Sequence, residues 1–428
     1  MKNVLGNVAL AVAALVVSFA FGEIAVRLLY KNETVLFPRY HTDYEYGRYQ
    51  IRGIRPNMEY WMTSIDGSWK YVTNSRGFRN TKDFSYTKPA NTLRVLSLGD
   101  SHTQGYEVRQ DMTFSAILER YLNVHGKNAE VINTGVSGFS NAEALVFLEN
   151  EGIKYHPDVV VLGFFANDFE DNLKAGLFGF DPQNRLTAEK YEHLPGVRIQ
   201  NLIYSLPPVR WLGENSYFYS LLFNKVWEFF KAKLAASAEK KAAEQGVATV
   251  EASKSFEYAV PTTATYSEYE VALAAALIER MHRFCVERGI RFIVVDIPVP
   301  ATNYSYKSSL PQTLIERLAV SHIEYLSSMS FLEGYDGSAE IHVPHGHRHI
   351  SEFTHTLWGR SWATADCARN QRGKKVMQPR RILVMRDTCA GQDRGHAQLQ
   401  RSDCPHRLMV WMFGHRSATG IATCGKLA

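Results

Sequence analysis

The chain alternates between short apolar runs and amphipathic segments along most of its central part. The runs "LRVLSLGD", "AEVINTGV", "PDVVVLGFF" and "IRFIVVDIPVP", beginning at positions 93, 129, 157 and 290, predict four strands. Continuous apolarity is typical of strands covered on both faces. The segments "TFSAILERYLNVHG", "SNAEALVFLENEGIKY" and "SEYEVALAAALIERMHRFCVERG" between them predict helices. Strands joined by single helices indicate a parallel sheet with right-handed crossovers.

The helix boundaries carry local signals. Ser267 and Glu270 have the spacing of a capping box, and Gly289 stands where that helix should end. After the fourth strand the pattern predicts one more helix, around Leu310 to Ser327, and then a loop rich in histidine.

The N-terminus predicts a membrane segment over residues 1–30. Val4 to Phe21 is 18 residues without a charge, following a single Lys2. A cleaved signal segment is the alternative, because Ser18 and Ala20 fit a small-x-small cleavage site. The apolar pattern continues past Glu23 as "IAVRLLY", which favours an uncleaved, single-pass anchor. We expect the rest of the chain on the extracytoplasmic side.

Composition shifts divide the rest of the chain. Residues 31–90 form an aromatic, polar extension expected to pack on the core domain of residues 91–363. The α/β pattern is interrupted over about residues 172–265, which predict a helical insertion with a charged, solvated tip at "KAKLAASAEKKAAEQG". Residues 364–428 are basic, contain four of the five cysteines and show no sustained period, so we expect a disordered tail.

The net charge of +5 comes from that tail. It holds 12 Lys and Arg against 4 Asp, which leaves 36 basic and 39 acidic residues in the first 363. A slightly acidic body argues against nucleic-acid binding. No pair of cysteines has the short spacing of a zinc or redox motif.

Polar residues follow three successive predicted strands. Ser101 comes after the first in "LGDSHTQ", Gly135 after the second in "NTGVSG", and Asn167 after the third in "FFANDF". Carboxyl ends of parallel strands meet at the sheet edge where ligands bind. A serine beside a backbone N–H and an amide side chain suits acyl transfer, because these donors stabilise an oxyanion. Ser101 as a plain helix cap, and Asn167-Asp168 as a turn pair, remain the structural alternatives.

A nucleophilic serine needs a base, and five histidines crowd the end of the body. They are His342, His345, His347, His349 and His355. One of them could return to Ser101 as general base. A metal site is less favoured because the run lacks cysteine and clear carboxylate ligands, and a surface loop is the third interpretation.

The order Gly99-Asp100-Ser101, Gly135, Asn167-Asp168 and a late histidine resembles the SGNH (GDSL-like) hydrolases, in particular bacterial membrane-anchored members. The resemblance covers about Leu93 to Arg360, without the insertion. It implies a three-layer α/β/α, flavodoxin-like fold with a mainly parallel sheet. It also implies that Ser101 is the nucleophile, that the Ser101 N–H, Gly135 N–H and Asn167 side chain form the oxyanion hole, and that His349 is the base, with His345 as the alternative.

Two positions depart from the family pattern. Gly346 stands three residues before His349, where the family has Asp, and Phe165 stands where it has Gly. We therefore expect His349 to be oriented by a backbone carbonyl or by a distant acid such as Glu340 or Asp336, or to act with Ser101 as a dyad.

The implied function is a serine esterase that removes O-acyl groups, such as O-acetyl groups, from a cell-surface carbohydrate or related ester. No metal or organic cofactor is expected. The partners expected are the acylated carbohydrate substrate and, through the N-terminal helix, the membrane. An O-acyltransferase, or a binding module that has lost the catalytic Asp, are the alternatives.

Overall fold

The computed structural model describes residues 2–226, 229, 233, 266–302 and 305–371. The strands are β1 (His41–Tyr46), β2 (Tyr49–Ile54), β3 (Glu59–Thr63), β4 (Ser68–Val72), β5 (Leu93–Leu98), β6 (Ala129–Asn133), β7 (Val159–Phe164), β8 (Phe178–Phe180), β9 (Leu186–Ala188), β10 (Glu192–His193), β11 (Arg291–Asp296), β12 (Val299–Thr302), β13 (Ser305–Lys307) and β14 (Glu324–Leu326). The α-helices are α1 (Lys2–Leu29), α2 (Ser101–Gln104), α3 (Phe114–Val124), α4 (Asn141–Asn150), α5 (Asp168–Ala175), α6 (Val197–Ser205), α7 (Pro207–Asn215), α8 (residues 217–226), α9 (Glu268–Val286), α10 (Gln312–Val320), α11 (Ser328–Phe331) and α12 (Glu352–Gln371). Single 3₁₀ turns lie at Lys31–Glu33, Gln110–Met112 and Gly152–Tyr155.

The central sheet has five parallel strands in the order β14-β11-β7-β5-β6. Counted along the chain this is the 2-1-3-4-5 order of flavodoxin-like folds, so the predicted fold class is confirmed. The chain reverses direction across the sheet between β5 and β7. Ligands bind such sheets at the carboxyl ends of the strands beside this switch point.

Alternate residues of the strands face two separate apolar layers. Leu96 and Leu162 pack with α4 and α9 in one layer, whereas Val95 and Val161 pack with α3 and α12 in the other. The period of two along each strand produces this division. The sheet is thus covered on both faces, as the continuously apolar strands predicted.

The predicted capping box is present. Ser267 Oγ accepts from the backbone N of Glu270, and the Glu270 carboxylate accepts from the backbone N of Ser267 at 2.7 Å. The helix predicted over Leu310 to Ser327 is wrong in its second half, because α10 ends at Val320 and β14 follows. β14 has three half-buried residues at the sheet edge. So short a strand produces no alternation that a local pattern could reveal.

The N-terminal extension forms two antiparallel hairpins, β1–β2 and β3–β4. Tyr60 stacks between Tyr40 and Tyr71, with ring centroids 5.4 and 5.1 Å away. Tyr71 in turn contacts Tyr106 of the core domain. The extension therefore shares one apolar core with the sheet.

The insertion is not wholly helical, which corrects the expectation for residues 172–265. It begins with the β8–β9 hairpin, and β10 then pairs in parallel with β2 of the extension. These strands have only two or three residues, too few for a recognisable period. Helices α6 to α8 follow. The predicted charged tip lies outside the described residues.

The first and last helices that the structure describes are α1 and α12. The N-terminal helix includes 26 residues, Val4–Leu29, with a peak mean hydropathy of 2.3, and its apolar window is fully exposed rather than packed in a core. By length and composition it can cross a membrane. At the other end, α12 continues to Gln371, past the expected boundary at residue 363, and the rest of the tail lies outside the described residues.

Candidate active site

The turn from β5 into α2 presents Ser101 at the sheet edge. Gly99 has φ of +144°, and a Cβ at this position would overlap Thr103 Oγ1 and the carbonyl oxygen of Gly163. Glycine is required here for both reasons. Asp100, not Ser101, caps the helix, since its Oδ1 accepts from the backbone N of His102 at 2.9 Å. The Ser101 hydroxyl is therefore left for another partner.

That partner is His349. Ser101 Oγ lies 2.8 Å from His349 Nε2, although the two residues are 248 positions apart. Both are buried, Ser101 with 4% of its surface exposed and His349 with none. A hydroxyl within hydrogen-bond reach of an imidazole is the geometry of a serine activated by a general base.

The other nitrogen of His349 contacts Glu107. His349 Nδ1 lies 3.1 Å from Glu107 Oε2, and Glu107 also accepts from the backbone N of His349 and His347. This corrects the expectation of a backbone carbonyl, Glu340 or Asp336 as the group that orients the histidine. An ionised carboxylate only accepts hydrogen bonds, so the imidazole proton lies on Nδ1 and Nε2 accepts from Ser101.

Burial sets the protonation of this chain of groups. It lowers the pKa of His349 to about 3, so the imidazole is neutral at neutral pH. It also raises the pKa of Glu107, while the nearby His347 and the backbone N–H groups of His347 and His349 act in the opposite direction. His349 therefore stays neutral down to a lower pH than an ordinary histidine does.

Aromatic rings enclose the histidine. The ring of Tyr106 lies 4.6 Å and that of His102 4.8 Å from the ring of His349, centroid to centroid. Phe165, the residue found in place of the family's glycine, packs on His102 at 4.1 Å. Burial lowers the pKa of His102 well below its usual value, so this wall is uncharged. A dry, neutral surround strengthens electrostatic interactions within the site.

The two predicted oxyanion donors lie near the nucleophile's helix but have protein partners. A Cβ at Gly135 would overlap the backbone of Thr103 and Gln104, so only glycine lets this loop approach α2 so closely. The Gly135 N–H donates to Asn133 Oδ1 at 3.1 Å. Asn167 Nδ2 donates to Asp171 Oδ2 at 2.9 Å, and its amide also lies beside the Asp100 carboxyl.

Two buried carboxyls lie beneath this region. Asp168 Oδ2 accepts from the backbone N of Phe165 at 3.0 Å, as Asp100 does from His102. Burial raises the pKa of both, that of Asp100 to about 7 and that of Asp168 well above its usual value; repulsion from Asp171 adds to both rises, and repulsion from Asp100 adds to that of Asp168. The pair consequently retains protons near neutral pH, which reduces the negative charge near an oxyanion.

The remaining clustered histidines are separated by the fold. His345 Nδ1 lies 2.8 Å from Asp66 Oδ1, so the alternative base is directed to the extension and away from Ser101. His347 stacks on Tyr106, and His355 Nδ1 accepts from the backbone N of Phe114. His342 is buried against Tyr306. Among the residues that the structure describes, no group of three or more His, Cys, Asp or Glu is arranged to hold a metal.

No protein-family model matches the chain. A 90-residue segment is 32% identical to an arylesterase of Vibrio mimicus, covering 21% of this chain and 42% of that protein, so the match spans less than half of the relative. Similar solved structures include a lipase/acylhydrolase from Enterococcus faecalis (16% identity, 67% of this chain and 100% of the other, TM-score 0.34) and a lipolytic G-D-S-L family protein from Desulfitobacterium hafniense (12%, 63% and 98%, TM-score 0.31).

The pH dependence of turnover should report the buried base. Because burial lowers the pKa of His349 to about 3, we expect kcat/KM for an ester to be the same at pH 6 as at pH 7.5, where an ordinary histidine of pKa about 6.5 would already be mostly protonated at the lower pH. Protonation of Asp100 in this range removes negative charge and should not lower the rate. An acid limb centred at pH 6.5 or above would contradict this.

Proposed function

We propose that the protein is a serine esterase in which Ser101 is the nucleophile and His349 the general base. The observation that carries this proposal is the 2.8 Å contact between Ser101 Oγ and His349 Nε2 at the carboxyl edge of a flavodoxin-like sheet. The similarity to an arylesterase over part of the chain supports ester hydrolysis as the reaction class.

The geometry supports an acyl-enzyme route. Ser101 Oγ attacks the ester carbonyl carbon while its proton passes to His349 Nε2. Collapse of the tetrahedral intermediate breaks the bond to the alcohol oxygen, which takes the proton from His349. Water then repeats these steps on the acyl-enzyme, releasing the acid and restoring Ser101.

The oxyanion would be stabilised by the Ser101 N–H, the Gly135 N–H and the Asn167 amide. In the free protein, Asn133 Oδ1 and Asp171 Oδ2 occupy the last two donors. A substrate oxyanion would displace these acceptors, and catalytic hydrogen bonds of this kind tighten only in the complex.

The narrow exposure of Ser101 favours a short acyl group. Only 4% of its surface is accessible, and the rings of His102 and Tyr106 lie 4.8 and 4.6 Å from the ring of its partner His349. An acetyl ester fits such a site better than a long chain. We extend this to O-acetyl groups of a surface carbohydrate on the basis of the proposed exported position.

We also infer that α1 anchors the protein in a membrane as a single span, with the catalytic domain on the extracytoplasmic side. Its apolar window is exposed, yet its C-terminal part is attached to the body. The Glu23 carboxylate accepts from Ser216 Oγ and from the backbone N of Tyr217 and Phe218, at the start of α8. A membrane helix fixed in this way would hold the body close to the bilayer surface.

Substitution of the two central residues tests the mechanism. Ser101→Ala and His349→Ala should each lower kcat by about 10⁴-fold or more with the fold intact, because they remove nucleophile and base. Ser101→Ala should also abolish labelling by a fluorophosphonate probe. His345→Ala is the matched control and should keep activity within about twofold, because this half-exposed histidine contacts Asp66 instead. Full esterase activity in His349→Ala would refute the assigned base.

Acyl-chain length and acceptor test the substrate class. We expect kcat/KM for aryl acetate to exceed that for aryl octanoate by at least about tenfold, since one methylene in a fitted pocket changes binding by roughly 1–3 kcal/mol. Acetylated xylo-oligosaccharide should release free acetate. If added unacetylated glycan instead receives the acetyl group, the enzyme is a transferase, and a preference for octanoate would contradict the narrow site.

Membrane attachment is tested by extraction. The full chain should remain in the membrane pellet after alkaline carbonate, begin at its first residues on N-terminal sequencing, and lose its body to external protease in right-side-out vesicles. The double variant Val12→Arg/Leu15→Arg should be released, since each Arg near a helix centre costs about 2.5–3.5 kcal/mol. A mature chain starting near residue 21 would show a cleaved signal instead.

A further inference from the structure

We propose that Glu107 is the positioning residue of the active site, holding the tautomer and orientation of His349 from the turn that follows the nucleophile. The proposal rests on the proposed serine esterase function. It assigns the acidic partner to the segment that carries Ser101, six residues away, and not to the histidine loop. No signal in the sequence marks this residue, because its contact with His349 spans 242 positions.

The Glu107 carboxylate holds the histidine loop through both oxygens. Oε2 lies 3.1 Å from His349 Nδ1 and 3.3 Å from its backbone N, while Oε1 accepts from the backbone N of His347 at 2.9 Å. The side chain and the main chain of His349 are therefore oriented by one carboxylate. Glu107 and His349 are both fully buried, so no water competes for these contacts at the surface.

The loop is shaped to accept this carboxylate. Gly346, the position where the family resemblance implies an aspartate, has φ of +60°, and a Cβ there would overlap Glu107 Oε1. Glu107 and a side chain at position 346 thus exclude each other from the same space. Gly346 stands where the resemblance implies an acid, and its lack of a side chain leaves room for the Glu107 carboxylate.

The turn that carries Glu107 is held from the N-terminal extension. The buried Arg79 donates to the carbonyl oxygens of Gly105, Gln104 (3.1 Å) and Val108 (2.6 Å), and Tyr71 OH donates to Gly105 O at 3.2 Å. This support matters because Glu107 itself has φ of +60°, a conformation that a glutamate adopts only when its surroundings impose it.

An ion pair between Arg109 and Glu352 links the same two segments without touching His349. Arg109 and Glu352 form a bidentate contact at 2.8 Å, with Glu352 partly exposed. It provides a matched comparison, since its loss loosens the same junction but leaves the histidine's partner intact. The titratable groups facing Glu107 include Asp66, Tyr71, His347 and His349.

The test compares Glu107→Gln, Glu107→Asp and Glu352→Gln in the full chain, each with its thermal midpoint, kcat, KM and pH profile. Glu107→Gln keeps shape but removes the charge that stabilises the imidazolium. We expect kcat to fall by about 10²–10⁴-fold with little change in KM. We expect the acid limb to move to lower pH, because an imidazole without a neighbouring carboxylate is harder to protonate. A purely structural role would leave that limb in place.

The other two variants make the result decisive. Glu107→Asp keeps the charge and should recover at least about tenfold of the lost kcat at a similar thermal midpoint, whereas Glu352→Gln should keep kcat within about twofold. Glu107→Gln with wild-type kcat and an unmoved acid limb would overturn the assignment. A folded Glu107→Asp that is no more active than Ser101→Ala would overturn it likewise, even if Glu107→Gln fails to fold. If Ser101→Ala and His349→Ala still abolish activity in that case, the esterase function stands and only the role of Glu107 fails.

Discussion

The buried contact from Glu107 through His349 to Ser101 is the constraint on which the arrangement of this domain depends. Three groups that water would normally solvate are enclosed by protein, and each is satisfied by the next. An unpaired carboxylate or imidazole at this depth would cost several kcal/mol, so the two ends of the domain must meet in one register. The positive φ of Gly346 and the absence of its side chain follow from that requirement.

The same constraint gives the N-terminal extension a role in the site. Its Arg79 and Tyr71 contribute no group to the predicted chemistry, but they hold the carbonyls of the turn on which Glu107 stands. The cation is itself buried, satisfied by backbone oxygens and packed over the Tyr71 ring. Residues 31–90, which the sequence predicts to pack on the core domain, therefore also support the candidate active site.

Burial also determines the charge of the groups around Ser101. Burial keeps His349 and His102 neutral, and it raises the pKa of the Asp100 and Asp168 carboxyls. The surround is consequently poor in net charge, which favours stabilisation of a transient oxyanion by directed N–H groups. The same enclosure leaves only 4% of the Ser101 surface exposed.

Local patterns of apolar residues and helix caps predicted the main strands and helices of the core domain. Strands β5, β6, β7 and β11, the helices between them and the capping box at Ser267 are visible because continuous apolarity and cap chemistry act over a few residues. The strand ends also identified Ser101, and family resemblance singled out His349. The three-residue strands and the hairpin of the insertion left no such trace, since elements so short have no period.

Only the tertiary structure decided which acid faces His349 and where the other histidines of the cluster lie. Glu107 is an ordinary residue in its own segment, and its role arises from a contact across 242 positions that no local pattern encodes. His345 and His349 are equivalent by composition and are separated by what the fold brings to each, Asp66 to one and Ser101 to the other. The sequence therefore determined the main strands and helices and the position of Ser101 at a strand end, whereas contacts between buried polar groups of distant segments decided which residues surround it.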